Sequence, residues 1–298
     1  MIKLNGLHLL LTYKCTYECD HCFVKSSPFA PGTMTFEKVK DSIDQANKLG
    51  TVDSIYIEGG EPFLYYPLML ESLRYAKQFG FKLGIVTNGY FATSVDDALL
   101  WLQPLCEIGG ITLCISDDDF HSGADREDSA AQRTQKAAEQ LNLTGIEICI
   151  DSPCLTSDPH KPGEIILGGG VRFRGRAAEM LIDDSLPKFP WDNFDKCPDE
   201  NWDEITRLHL DSYGNLYPCQ GIILGNLNNQ TLNEVVKGYD HATHPIAAPL
   251  HSGGPAELVR RYNLDLKDAY HDACHLCFLA RKSLLPRFPD ALGPEQIY

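Results

Sequence analysis

Hydrophobic positions in the first half of the chain switch repeatedly between a strand period and a helix period. Leu7 to Thr12 is a short apolar run that reads as a strand. Thr35 to Leu49 reads as a helix, with Phe36, Val39, Ile43 and Ala46 on one face and Gly50 to close it. Ser54 to Ile57 predicts the next strand, followed by a helix from about Pro67, a favoured first-turn residue, to Phe79. Lys82 to Val86, Ile111 to Ile115 and Ile146 to Ile150 predict three more strands. Between them, Ser94 to Leu102 predicts a helix opening on the capping pattern Ser94-x-x-Asp97, and Arg126 to Leu141 predicts another. A sixth strand is expected within Glu164 to Phe173, where Gly168, Gly169 and Gly170 interrupt the pattern.

Strand and helix alternating at this spacing predict an α/β fold whose parallel sheet is crossed by helices. Such sheets carry their chemistry at the C-terminal ends of the strands. The polar motifs Cys15 to Cys22, Gly59 to Pro62, Thr87 to Gly89 and Ser116 to His121 each follow a predicted strand. Regularity ends near Asp183, at the Pro- and Asp-rich passage LIDDSLPKFPWDNFDKCPDE, which reads as a domain junction. Beyond it, Thr206 to Leu210 and Leu216 to Pro218 flank Ser212-Tyr213-Gly214-Asn215 as a hairpin. Two domains are expected.

Composition narrows the function classes. The 298 residues carry a net charge of −15, with 41 acidic against 26 basic side chains. Backbone contacts to nucleic acid need clustered Lys and Arg, and the densest basic run, Arg172 to Arg176, is short. No stretch reaches the roughly 18 apolar residues that span a bilayer, and the N-terminus lacks a signal-peptide cleavage site. A cytoplasmic protein with no nucleic-acid or membrane partner is expected. Eleven cysteines, an odd number without an export signal, argue for metal binding or reactive thiols over a disulfide framework. Cys106, Cys114, Cys149 and Cys154 lie on or near apolar stretches such as ITLCIS and IEICI, and are expected to pack as small core hydrophobes.

The other seven fall into two groups. Cys15-x3-Cys19-x2-Cys22 places three thiols on one loop after a strand. Zinc could take them with His21 as a nominal fourth ligand; a cubane iron–sulfur cluster could take them with one iron left open. One βαβ unit later stands Glu58-Gly59-Gly60-Glu61-Pro62, where paired glycines let the backbone approach a ligand and Pro62 stiffens the turn. A side chain at Gly59 or Gly60 is expected to intrude on that ligand. Cys197, Cys219 and Cys274-x2-Cys277 form the second group, suited to an all-thiolate zinc or to a [4Fe–4S] cluster.

CTYECDHC and GGEP, in this order and spacing, resemble the radical S-adenosylmethionine (radical SAM) superfamily. The resemblance covers about residues 4 to 180 and implies a partial (β/α)6 TIM-like barrel over 1–185. It implies that Cys15, Cys19 and Cys22 hold a [4Fe–4S] cluster whose open iron binds S-adenosylmethionine. Gly59, Gly60, Glu61 and Pro62 would receive the amino group of that molecule, and His21, in a place usually aromatic, would touch its adenine. Ser116 resembles the ribose-contacting position and Asn88, in Thr87-Asn88-Gly89, a position facing the cofactor. Arg176, in Gly175-Arg176-Ala177, resembles a segment near the end of such barrels; it could pair with the cofactor carboxylate or substrate, or be structural. Gly214-x4-Cys219 followed by Gly225-Asn226-Leu227 resembles the auxiliary-cluster domains called SPASM and twitch, so residues 186–298 would form a small α+β domain with one auxiliary [4Fe–4S] cluster.

The implied chemistry is reductive cleavage of S-adenosylmethionine and hydrogen abstraction from a C–H bond of a small molecule, for an oxidation or bond-forming step. A reductant such as flavodoxin or ferredoxin would supply the electron. Asp117, Asp119 and His121 are candidate catalytic bases on one loop. Two alternatives stand beside this reading. One is a peptide- or protein-modifying maturase, which loses weight because the first strand begins almost at residue 1 and leaves no room for a leader-gripping domain. The other is a non-catalytic iron–sulfur or zinc-binding protein, which leaves GGEP without a purpose.

Overall fold

A computed structural model describes residues 2–123, 127–158 and 160–298. In chain order the elements begin β1 (Ile2–Thr12), α1 (Phe36–Leu49), β2 (Ser54–Gly59), α2 (Tyr66–Lys77), β3 (Lys82–Thr87), α3 (Val95–Ile108), β4 (Ile111–Ser116), α4 (Asp119–Ser122), α5 (Ala130–Gln140) and β5 (Thr144–Ile148). They continue with β6 (Cys154–Ser157), β7 (Ile165–Gly168), α6 (Ala177–Met180), β8 (Phe189–Pro190), β9 (Ile205–Leu210), β10 (Asn215–Tyr217), β11 (Gly225–Asn226), α7 (Leu232–Gly238), α8 (Ala247–Tyr262), β12 (Ala269–Tyr270) and α9 (Ala273–Leu284).

The five expected strands and the helices between them are present, and local signals set their ends. Thr35 and Ser94 accept hydrogen bonds from the backbone N–H of Lys38 and Asp97, and Gly50 closes α1 at φ 74°. α3 runs past its expected end at Leu102 to Ile108 in spite of Pro104. α5 starts at Ala130 behind the cap Ser129; Arg126, where it was expected to begin, lies outside the described residues.

An eight-stranded sheet in the order β11-β10-β9-β1-β2-β3-β4-β5 is the backbone of the molecule. From β9 through β5 neighbouring strands are parallel, while β10 and β11 add an antiparallel edge. β1 is the central strand, covered on both faces, and Leu7, Leu9, Leu10 and Leu11 are at most 1% exposed. Each such side chain contributes about 1.5–3 kcal/mol on burial, which explains a near-continuous apolar run here instead of alternation.

Two expectations change. The sixth strand does not join the sheet: Cys154–Ser157 and Ile165–Gly168 pair with each other as a separate antiparallel hairpin. The sixth parallel place is taken by β9, on the other side of β1, with Leu7 opposite Leu208 and Leu9 opposite Leu210. The segment that follows residue 186 thus completes the main sheet. Among the four cysteines expected in the core, Cys106 and Cys114 are partly buried, but Cys149 and Cys154 are exposed, because the backbone after β5 leaves the sheet for the hairpin.

Candidate functional site

The C-terminal ends of β1 to β4 open on one recess. It is lined by Cys15, Cys19 and Cys22 from the loop after β1, Gly59 and Gly60 from the end of β2, Thr87 and Asn88 after β3, and Ser116, His21 and His121. The three thiols are held by their own loop: Cys22 N–H donates to the Cys19 carbonyl at 3.0 Å, and Tyr17 and Ser26 N–H point at the Cys15 and Cys22 sulfurs at 3.4 and 3.3 Å. Asn88 Nδ2 reaches Cys15 Sγ at 3.5 Å and Thr16 Oγ1 at 3.2 Å. N–H groups aimed at sulfur suit thiolates that carry charge into a cluster.

Burial pushes the Cys15 thiol up to about 11 and the Cys19 thiol up to about 12, each reinforced by its cysteine neighbours. Such thiols stay protonated unless a metal displaces the proton. Three thiols on one short loop fit a cubane cluster that leaves one iron open. The His21 ring stacks on Phe120 at 4.4 Å and its Nε2 faces Asp118 Oδ2 at 3.8 Å, while its buried Nδ1 has no hydrogen-bond partner among the described residues.

Arg176 does not face the recess. Its two terminal nitrogens donate to the Cys19 and Ser26 carbonyls at 2.7 and 2.6 Å, and its own N–H to the Cys22 carbonyl at 2.9 Å. It clamps the cysteine loop.

Backbone crowding shapes the GGEP segment. An ideal Cβ on Gly59 would sit 2.4 Å from the Thr12 carbonyl oxygen, and one on Gly60 1.9 Å from that of Lys14. These glycines therefore admit the backbone of the cysteine loop, and a side chain there would strike that loop before any ligand. Glu61 is fully buried, accepting from Phe63 N–H at 3.0 Å, Thr87 Oγ1 at 2.9 Å and Asn88 N–H at 2.8 Å. Burial raises its carboxyl to about 7 against those three donors. Its side chain ties the end of β2 to the end of β3, and Pro62 opens a 3-10 turn behind it.

Of the three candidate bases, only His121 lines the recess. Asp117 accepts from the hydroxyls of Ser122 and Ser129 at 3.1 and 3.3 Å, and Asp119 is exposed at the start of α4. The partner of His121 is Asp118, whose Oδ1 meets Nδ1 at 2.8 Å. Burial opposes the Asp118 charge, but His121 and His21 outweigh it and hold the carboxyl low.

A second polar group escaped the sequence reading. His8 on β1, Glu58 on β2 and His209 on β9 meet on three adjacent strands, with Glu58 on the wall of the same recess. Glu58 Oε2 bonds His8 Nδ1 at 3.0 Å, and its Oε1 bonds His209 Nδ1. Burial alone would raise Glu58; the two imidazoles reverse this and hold it well below the usual carboxylate range. A polar residue inside LHLLL and another inside IYIEG were the available signals.

Cys197, Cys219, Cys274 and Cys277 also come together, lining a second, smaller recess with Arg174, Asp199 and Arg281. Burial raises Cys197, Cys274 and Cys277, the last to about 12.

Comparison with known proteins agrees with this architecture. Residues 9–116 match the Radical SAM superfamily. The likeness to that superfamily lies in this stretch, which carries the end of β1, the cysteine loop, GGEP and β2 to β4. It is 33% identical over 150 residues to the S-adenosylmethionine-dependent nucleotide dehydratase of Thermoplasmatales archaeon (strain ISO4-H5), covering 49% of this chain and 51% of that one. It is 30% identical over 136 residues to the antilisterial bacteriocin subtilosin biosynthesis protein AlbA of Bacillus subtilis (strain 168), covering 46% of this chain and 30% of AlbA. The match thus spans well under two thirds of these curated relatives. The structure of Streptococcus suis SuiB bound to S-adenosylmethionine shares the fold, with a TM-score of 0.54 and 13% identity over 91% of this chain and 77% of SuiB. Among the described residues no helix is long and apolar enough to cross a membrane.

Proposed function

We propose that this protein is a radical SAM enzyme that abstracts hydrogen from a C–H bond of a small molecule for an oxidation or bond-forming step. The observation that carries the reading is the meeting of three cysteine thiols with the Gly59-Gly60 strand end in one recess above the parallel strands. Cys15, Cys19 and Cys22 would hold a [4Fe–4S] cluster, and Gly59, Gly60, Asn88, Ser116 and His21 line the space for S-adenosylmethionine beside it. Cys197, Cys219, Cys274 and Cys277 would hold an auxiliary [4Fe–4S] cluster, making residues 186–298 a twitch-like region. With cluster and S-adenosylmethionine bound, the chemistry supplied is reductive sulfonium cleavage to a 5′-deoxyadenosyl radical, the electron coming from a flavodoxin- or ferredoxin-type donor.

The protein's own residues do the rest. Arg176 fixes the cysteine loop, Glu61 fixes the strand ends, and apolar walls including Leu10, Val86, Ile148 and Ile150 exclude water. His121, whose Nδ1 meets Asp118, lines the recess and can take a proton from the substrate. Glu58 lines the same recess and is bonded to His8 and His209. A peptide substrate is the second reading, favoured by the likeness to AlbA, whose name places it in bacteriocin biosynthesis.

Iron analysis after anaerobic reconstitution tests the cluster assignment. Two cubanes require about eight irons per protein molecule. Replacing Cys15, Cys19 and Cys22 by Ala should halve that content, and replacing Cys274 and Cys277 should remove the other half. Zinc without iron at the C-terminal cysteines would overturn the auxiliary-cluster reading. Mass analysis of candidate small molecules and peptides incubated with S-adenosylmethionine and reductant separates the two substrate readings.

A further inference from the structure

The recess of Cys197, Cys219, Cys274 and Cys277 holds more positive charge than its protein neighbours can balance. Arg281 on α9 is only 2% exposed. Its Nη1 donates to the Gln220 carbonyl at 2.9 Å and meets the Tyr298 hydroxyl at 3.1 Å, and that hydroxyl donates to the Gly221 carbonyl at 2.8 Å. Its Nε points at the Cys277 carbonyl at 3.4 Å. These neutral partners fix the guanidinium beside the thiols without neutralising it, and among the described residues no carboxylate pairs with it. Arg174 comes from the other side. Its Nη1 lies 3.4 Å from Cys219 Sγ and 3.7 Å from Asp199 Oδ2. Asp199 cannot balance it alone, because its Oδ1 also meets Arg172 Nε at 3.3 Å and its Oδ2 lies 3.5 Å from Cys274 Sγ.

A buried guanidinium without an anion is costly, and Arg281 is such a group, while the partly buried Arg174 shares Asp199 with Arg172. Four thiolates around an iron–sulfur core would supply the missing negative charge. Reduction adds another, and cations at this range favour the reduced form over the oxidised one. The sequence alone hides this arrangement: Arg174 precedes the barrel-end segment and Arg281 follows the last cysteine by four residues, so neither looks like part of a cysteine site.

We propose that Arg174 and Arg281 raise the reduction potential of the cluster held by these four cysteines, biasing the site toward taking up an electron. The inference rests on the auxiliary-cluster reading above. Asp199, the one carboxylate in the recess wall among the described residues, acts in the opposite sense.

Potentiometric titration followed by electron paramagnetic resonance, on the anaerobically reconstituted full-length protein, reads this directly. A background variant in which Cys15, Cys19 and Cys22 are all replaced by Ala identifies the C-terminal signal. Arg174→Gln should lower the midpoint by at least the equivalent of a tenfold change in the reduced-to-oxidised ratio, about 59 mV for one electron. Arg174→Lys, which keeps the charge, should hold it close to wild type, and Asp199→Asn should raise it. Arg281→Lys provides the same charge-keeping comparison at the buried position. Equal potentials in wild type, Arg174→Gln and Asp199→Asn overturn the proposal, as does an equal fall in Arg174→Gln and Arg174→Lys. Absence of iron from the C-terminal cysteines in the triple-cysteine background overturns instead the cluster reading on which it rests.

Discussion

Replacing Gly60 by alanine is the smallest change that tests how the site is built. The added Cβ would lie 1.9 Å from the Lys14 carbonyl oxygen and 2.8 Å from that of Tyr13. Ordinary contact needs roughly 3.5 Å, so the cysteine loop and the end of β2 would have to part by about 1.5 Å. That movement breaks the bonds from Gly60 N–H to the Thr12 carbonyl at 2.8 Å and from Glu61 N–H to the Lys14 carbonyl at 2.7 Å. Losing both and leaving buried polar groups unmatched costs about 2–5 kcal/mol. At a few degrees per kcal/mol for a protein of this size, the melting temperature should fall by roughly 5–15 °C. Because Lys14 adjoins Cys15, the same movement displaces a cluster ligand. Iron content and thermal unfolding, measured on one preparation, should therefore fall together. A Gly60→Ala protein with wild-type iron and wild-type melting temperature would refute the crowding argument.

Two other contacts give tests of their own. Arg176→Ala removes the clamp on the Cys19 and Ser26 carbonyls, so iron should be lost to a chelator at least several-fold faster, with a stability cost of about 1.5–3 kcal/mol; unchanged chelation kinetics would count against the clamp. His244 accepts from Ile246 and Ala247 N–H through Nδ1 at 3.1 and 3.0 Å while its Nε2 donates to the Ile223 carbonyl at 2.9 Å, a pattern only the neutral ring can make. Burial lowers its folded-state pKa below 6.5; as pH falls through 6.5 the unfolded protein binds the proton first, so the ring's contribution is complete above that pH and drains away below it. Denaturant titrations should show wild type exceeding His244→Ala by about 1–3 kcal/mol near pH 8 and by clearly less near pH 5.5; an unchanging gap would contradict the assignment.

What the sequence revealed was local. CTYECDHC and GGEP are each continuous in the chain, and Ser94 caps α3 where the Ser94-x-x-Asp97 pattern predicted, while Thr35, read as the first residue of α1, is its cap. Pairings between distant segments were not legible. Nothing in Ile205–Leu210 announces that it will lie parallel to β1, and the hairpin reading stopped at its antiparallel partner. Gly168 to Gly170 blurred the strand expected there, and the protein uses that stretch for a hairpin outside the sheet. His8, Glu58 and His209 become one group only after three strands assemble. The close approach of backbone at the two glycines of GGEP was not legible either: a Cβ there would meet the Thr12 and Lys14 carbonyls, a contact made only once β1 and β2 lie side by side.

Anaerobic incubation of the reconstituted protein with S-adenosylmethionine and a strong reductant, followed by measurement of 5′-deoxyadenosine, tests the proposed radical chemistry most directly. Deoxyadenosine is expected from the wild-type protein and from the Cys274→Ala/Cys277→Ala variant, and none when Cys15, Cys19 and Cys22 are replaced by Ala. Iron-loaded wild-type protein that leaves S-adenosylmethionine intact, or deoxyadenosine formation that survives loss of those three cysteines, would contradict it.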